Sequence, residues 1–148
     1  MPTLAFAYLP ALVLAQSGGA RDLGPVTLFG LVPIAAGLTG LLWCFADFIV
    51  EGEGTPAPYD APRNLVSRRL YRWVRNPMYV AVLAIVLGEA VLFGSVALLS
   101  YAIALWLLFH LFVTLYEEPT LRARFGPSYD AYRAAVPRWI PRGLVPPY

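Results

Sequence analysis

The sequence predicts an all-α, polytopic membrane bundle of four transmembrane helices, with a tight hairpin of the third and fourth and a cytoplasmic amphipathic C-terminal tail. Three observations predict it. Of the 148 residues 59% are apolar, mean hydropathy is +0.62 and only 14% are charged, against about 25% charged in soluble domains, so polar side chains are too few to cover a water-facing surface. Four apolar runs occupy residues 3–16, 26–50, 77–93 and 96–116, and a helix needs about 20 such residues to cross hydrocarbon. Apart from Asp47 and Glu89, the charged residues cluster between and after these runs rather than within them.

The first run is short and carries Pro10. It is expected to form a kinked span over about 3–20, because the protein interior can re-satisfy the backbone that proline frees. With no basic residues before it, it does not have the form of a cleaved signal peptide and is expected to belong to the membrane domain. The second span covers about 25–50. Its Gly30, Gly37 and Gly40, with Ala35 and Ala36, form a small-residue face for close helix packing, expected to meet the hairpin. The Gly/Pro segment Glu51-Gly52-Glu53-Gly54-Thr55-Pro56-Ala57-Pro58 is too broken for a helix and opens a connection over 51–76. Spans over about 77–94 and 95–116 follow, with only Gly94-Ser95 between their apolar runs. In the tail, 117–148, a short helix through Leu121 and Phe125 stops at Gly126. Pro127 starts a second, with Tyr129, Tyr132 and Val136 on one face and Trp139 beyond, suited to the headgroup level. The whole is expected to be a single membrane-embedded domain over 1–148.

All eleven basic residues are Arg. Five (Arg63, Arg68, Arg69, Arg72, Arg75) lie in the connection and five after Glu118, and the opposite side holds only Arg21. The positive-inside rule places connection, tail and both termini in the cytoplasm. Guanidinium suits lipid headgroups, although a GC-rich genome yields the same bias. The single cysteine, Cys44, is inside an apolar run, reads as a core residue, and supports neither a disulfide framework nor a cysteine zinc site. No metal site is predicted.

If the hairpin turns at Gly94-Ser95, positions equidistant from the turn share one depth. Tyr79 is then level with His110, and Tyr71 and Arg72 with Glu118 and Glu117. The cluster so assembled, two carboxylates with guanidiniums, an amide and tyrosines, is able to hold a zwitterion carrying an aromatic base. An interfacial ion-pair belt anchoring the hairpin is the equally weighted alternative. Glu89 and His110 are ionisable groups inside spans and hence functional candidates. Glu89 is expected to hydrogen-bond Ser100 or Tyr101. His110 is left open as a base, a donor to a ligand or a packing residue, and Asp47 is expected to reach water.

Over residues 56–141 the chain resembles the isoprenylcysteine carboxyl methyltransferases and their phospholipid methyltransferase relatives. The resemblance rests on Leu65-Val66-Ser67, Tyr71-Arg72, Val74-Arg75-Asn76-Pro77-Met78-Tyr79, Glu117-Glu118, Leu121, Phe125-Gly126-Pro127-Ser128-Tyr129-Asp130-Ala131-Tyr132 and Val136-Pro137-Arg138-Trp139-Ile140-Pro141. It implies use of S-adenosylmethionine, with Tyr71, Arg75, Asn76, Pro77, Tyr79, His110, Glu117, Glu118, Phe125, Tyr129 and Tyr132 around the cofactor. Arg75, Glu117 and Glu118 are the implied catalytic groups, and Tyr129 and Tyr132 the lid. The implied partners are a lipophilic methyl acceptor, isoprenylcysteine-type or similar, and membrane lipids. Three departures stand out: Asn76 replaces the family's histidine before the proline, Ala81 a glycine two residues after the tyrosine, and Arg69 a glycine at the start of the block. Asn76 still donates and accepts, so a positioning role survives where one requiring protonation would not.

The competing readings are a phospholipid or small-lipid N-methyltransferase and a non-catalytic membrane scaffold. The sequence carries neither a phosphate-cradling P-loop nor a Gly-x-Gly-x-x-Gly pattern, which disfavours an ATPase or a soluble Rossmann-type enzyme. Nucleic acid is not an expected partner, because the arginines belong to the membrane interface.

Overall fold

Apolar segments with few internal breakers become helices, which satisfy every backbone amide within one segment. The computed structural model describes residues 8–16, 24–51 and 69–141. In order these form α1 (Leu9–Gln16), a 3₁₀ turn (Thr27–Gly30) entering α2 (Leu31–Glu51), a second 3₁₀ turn (Arg69–Arg72), α3 (Pro77–Leu92), α4 (Val96–Phe112), a wide π-type turn (Val113–Glu117), α5 (Glu118–Phe125) and α6 (Pro127–Ala135). All the regular structure among the described residues is helical. Thr27–Asp47 and Val96–Phe125 are long and apolar enough to cross a membrane, while Pro77–Leu92 is apolar but shorter. The flanks of the first expected span, Arg21, the Gly/Pro connection with Arg63, Arg68 and Leu65-Val66-Ser67, and residues 142–148 lie outside the described residues.

Two compact units divide the chain, Met1–Thr39 with Tyr79–Phe109 and Gly40–Met78 with His110–Tyr148. In the first, glycines let α2 approach α3 closely. A Cβ on Gly37 would stand 2.6 Å from the Ala81 carbonyl oxygen, and one on Gly88 2.6 Å from that of Gly30. Ala81, Val82, Ile85, Val86 and Ala90 of α3 and Leu98, Ala102 and Leu105 of α4 are buried. Gly94, at φ +57°, breaks the chain between α3 and α4, the left-handed conformation for which glycine carries no Cβ penalty. The Ser95 N–H reaches back to the Ala90 carbonyl at 3.0 Å, and Ser95 Oγ caps α4 by accepting the Leu98 N–H at 3.2 Å. The Tyr79 and Phe109 rings lie 4.6 Å apart. Of the two hydroxyls expected to meet Glu89, that of Ser100 donates instead to Val96 of its own helix, and Glu89 Oε2 is buried without a hydrogen-bond partner.

In the second unit Leu41, Cys44 and Asp47 share the buried stripe of α2. Asp47 was expected to reach water and is instead 2% exposed, because the i, i+3, i+6 spacing puts it on the same face as Leu41 and Cys44. Tyr71, Leu70 and Met78 pack against Cys44. Gly126 takes φ +53° and turns the chain between α5 and α6. Tyr129, Tyr132 and Val136 then pack against Leu121 and Phe125.

Candidate active site

Every side chain of the recess described here belongs to the second unit. Pro77 opens α3 and keeps Asn76 out of helix, so Arg75 and Asn76 precede the helix with their main chain available. The Arg75 N–H donates to the Pro137 carbonyl at 2.9 Å and Asn76 Nδ2 to that of Arg138 at 3.2 Å. These two bonds lay the extended segment after α6 along the chain before α3. Arg138 is thereby presented to Glu118, its Nε 2.7 Å from Oε1 and its Nη2 3.1 Å from Oε2. Arg75 Nη1 shares the same Oε1 at 3.0 Å and is 3.5 Å from the Tyr129 hydroxyl. One carboxylate therefore holds two guanidiniums, Arg138 through a two-bond fork, the strong form of charged hydrogen bond, and Arg75 through a single bond.

Burial shapes the electrostatics. The Arg75 and Glu118 side chains are each 10% exposed, and Arg75 Nε is buried without a hydrogen-bond partner. The hydrogen bond to Glu118 raises the Arg138 guanidinium above its ordinary value. Burial, then the Glu118 charge, pushes the Tyr129 phenol up, and burial pushes Tyr71 well above the usual tyrosine range. Both phenols are held neutral at physiological pH.

Arg75, Asn76, Val113, Glu117, Glu118, Leu121, Tyr129 and Tyr132 line a recess enclosing about 20 Å³, room for one or two water molecules. Six of the eleven site residues drawn from the sequence thus meet here: Arg75, Asn76, Glu117, Glu118, Tyr129 and Tyr132. The other five have other placements. Tyr71 is buried against Cys44 and its carbonyl accepts the Tyr132 hydroxyl at 2.7 Å. Phe125 packs in the α5–α6 core, Pro77 is the first residue of α3, and Tyr79 contacts Phe109 in the other unit. His110 Nδ1 accepts the Trp139 indole N–H at 3.2 Å. Arg138, which the sequence offers only as a group able to orient an anionic acceptor, is bonded to Glu118 of the recess, and Trp139 beside it is the partner of His110. Their place in the Val136–Pro141 block was the available signal, but nothing in their spacing showed that the segment folds back on Arg75 and Asn76.

Tyr132 ties α6 to the 3₁₀ turn through a buried hydrogen bond. Tyr132→Phe leaves the Tyr71 carbonyl without that donor and is expected to cost about 1–3 kcal/mol, measurable as a lowered unfolding temperature in detergent with helix content unchanged. An unaltered transition would show that water replaces the phenol.

Two helices long and apolar enough to cross a membrane, in a chain with a recess lined by two carboxylates, one guanidinium and two tyrosines, are the features of an integral membrane protein. Residues 26–128 match the family described as phospholipid methyltransferase, and the chain belongs to that family. Over 83 residues it is 40% identical to the Protein-S-isoprenylcysteine O-methyltransferase of Schizosaccharomyces pombe, an alignment covering 55% of this chain and 34% of that protein. The match spans about a third of that relative's length.

Proposed function

We propose that the chain transfers a methyl group from S-adenosylmethionine to a lipophilic acceptor, an isoprenylcysteine-type carboxylate, at the cytoplasmic membrane interface. The observation that carries this reading is that the family match includes Arg75, Asn76, Glu117, Glu118 and Leu121 of one recess. The supporting topology is four spans, with α3 and α4 crossing as a hairpin, in one domain. Five arginines between Glu51 and Asn76 and five beyond Glu118, against Arg21 alone, support placing the recess and both termini in the cytoplasm.

The donor set suits the cofactor. Arg75 Nε, buried and unpartnered, matches a carboxylate, Glu117 and Glu118 match an ammonium or ribose hydroxyls, and Tyr129 and Tyr132 supply aromatic walls. At about 20 Å³ the recess must widen to admit it, so α6 and the segment after it act as a lid. When bound, S-adenosylmethionine supplies an electrophilic methyl on a sulfonium. The protein's share is then to orient and to exclude water, since a carboxylate acceptor needs no base. Arg75 orients an anionic group and the tyrosines keep the recess dry.

The family description favours a second acceptor, a phospholipid amine, which must lose a proton to become nucleophilic. Glu117, which borders the recess, is the proposed base. The test is transfer of radiolabelled methyl from S-adenosylmethionine by the full chain in vesicles, offered an S-prenylated N-acetylcysteine or phosphatidylethanolamine. Label on the prenylcysteine is expected. Label on the amine instead selects the second reading, and neither label nor cofactor binding would leave a scaffold.

A further inference from the structure

Between Val113 and Glu118 the helix spends five residues on a turn: the Glu118 N–H donates to the Val113 carbonyl, one residue further back than in an α-helix. Two neighbours account for it. Pro119 has no N–H, so the Leu115 carbonyl has no α-helical donor. Thr114 Oγ1 bonds back to the His110 carbonyl at 2.7 Å and lies 3.3 Å from that of Leu111, a pattern that bends and loosens helices.

The extra residue decides which acidic side chain faces inward. In an unbroken α-helix Glu117, four residues after Val113, would share its face. Here Val113 is 1% exposed and the residue beneath it is Glu118, at 8%. Leu115 and Tyr116, inside the wide turn, are exposed.

We propose that Pro119 is a positioning residue that holds this wide turn open, so that Glu118 rather than Glu117 takes Arg75 and Arg138 while both carboxylates border the recess. The assignment of ligand binding to that pair rests on the methyltransferase reading; the register does not.

The experiment is a double-mutant cycle read as unfolding temperature in detergent, pairing Arg138→Ala with Glu118→Gln or with Glu117→Gln. In the native background the loss with Glu118→Gln is expected to be smaller than the sum of the single losses, and with Glu117→Gln additive. In a Pro119→Ala background the coupling moves to Glu117. Deleting Leu115 as well puts Glu118 four residues after Val113 and returns the coupling to Glu118. Coupling that stays on Glu118 in Pro119→Ala overturns the proposal. If that variant does not fold, the Leu115 deletion alone decides: with Pro119 still holding the turn wide, Glu118 moves to the outward place of Glu117, so coupling lost from Glu118 supports the proposal and coupling kept on it overturns it.

S-adenosylmethionine binding supplies the functional arm. Affinity is expected to fall at least about tenfold in Pro119→Ala, the scale of one lost charged hydrogen bond, and to recover with the added deletion. Native protein that does not bind S-adenosylmethionine removes the methyltransferase reading and leaves the register to the cycle.

Discussion

Glu118→Ala is expected to lower stability by about 3 kcal/mol and, on the proposed methyltransferase reading, to abolish S-adenosylmethionine binding. Glu118 is the only anion bonded to both Arg75 and Arg138 among the described residues. Without it two guanidiniums face one another, and one of them, only 10% exposed, already carries a buried, unpartnered Nε. Removing one partner of a buried pair costs about 3–5 kcal/mol because the surviving charge is stranded. Arg138 is 31% exposed, so water relieves its share and sets the effect at the low end. The order of related variants follows from the same geometry. Arg138→Ala leaves Glu118 on Arg75 and exposes little new charge, so it costs about 1 kcal/mol. Glu118→Gln keeps the shape and one acceptor and falls between. Denaturant unfolding followed by circular dichroism in detergent measures the series. An Arg138→Ala loss exceeding that of Glu118→Ala would mean that the carboxylate is not the hub of this cluster.

The long apolar runs were legible in the sequence because hydrocarbon imposes a single demand, an uninterrupted helix, and residues 26–50 and 96–116 meet it. The stops at Gly126 and the start at Pro127 were legible for a local reason, since positive φ and a missing N–H act within one residue. What escaped depends on register or on distant pairing. The helix does not end with the fourth apolar run but continues through the wide turn to Phe125, because charge at the interface sets where hydrocarbon stops rather than where hydrogen bonding stops. Depth counting brought Glu117 and Glu118 toward Arg75 but did not choose between them, as one inserted residue shifts a helix face by about 100°. Asp47 shows the same limit from the other direction: its charge argued for water, while its spacing from Leu41 and Cys44 settled its burial. Arg138 meets Glu118 because the Pro137 and Arg138 carbonyls accept from Arg75 and Asn76, a pairing across about sixty residues that no periodicity encodes.

Gly30→Ala is expected to cost about 3 kcal/mol, the upper part of the range for overpacking. Its added Cβ would collide with the Gly88 carbonyl oxygen and stand 2.7 Å from the Leu92 nitrogen. Both obstacles are backbone, and neither can rotate aside as a side chain would. The contact is reciprocal: a Cβ on Gly88 would stand 2.6 Å from the Gly30 carbonyl oxygen and 2.6 Å from Ile34 Cγ1. Close approach through small residues is a main source of helix association where lipid tails are as apolar as leucine, so forcing α2 from α3 loses packing along the rest of their contact. The two glycines form one joint, which makes their substitutions strongly non-additive. Once Gly30→Ala has separated the helices, Gly88→Ala adds little, and the double variant is expected to lose about as much as the worse single one. Steric denaturation in detergent mixtures, followed by helix content, measures all three proteins. Full additivity would show that the two positions yield independently and that the backbone contact between them is not what joins α2 to α3.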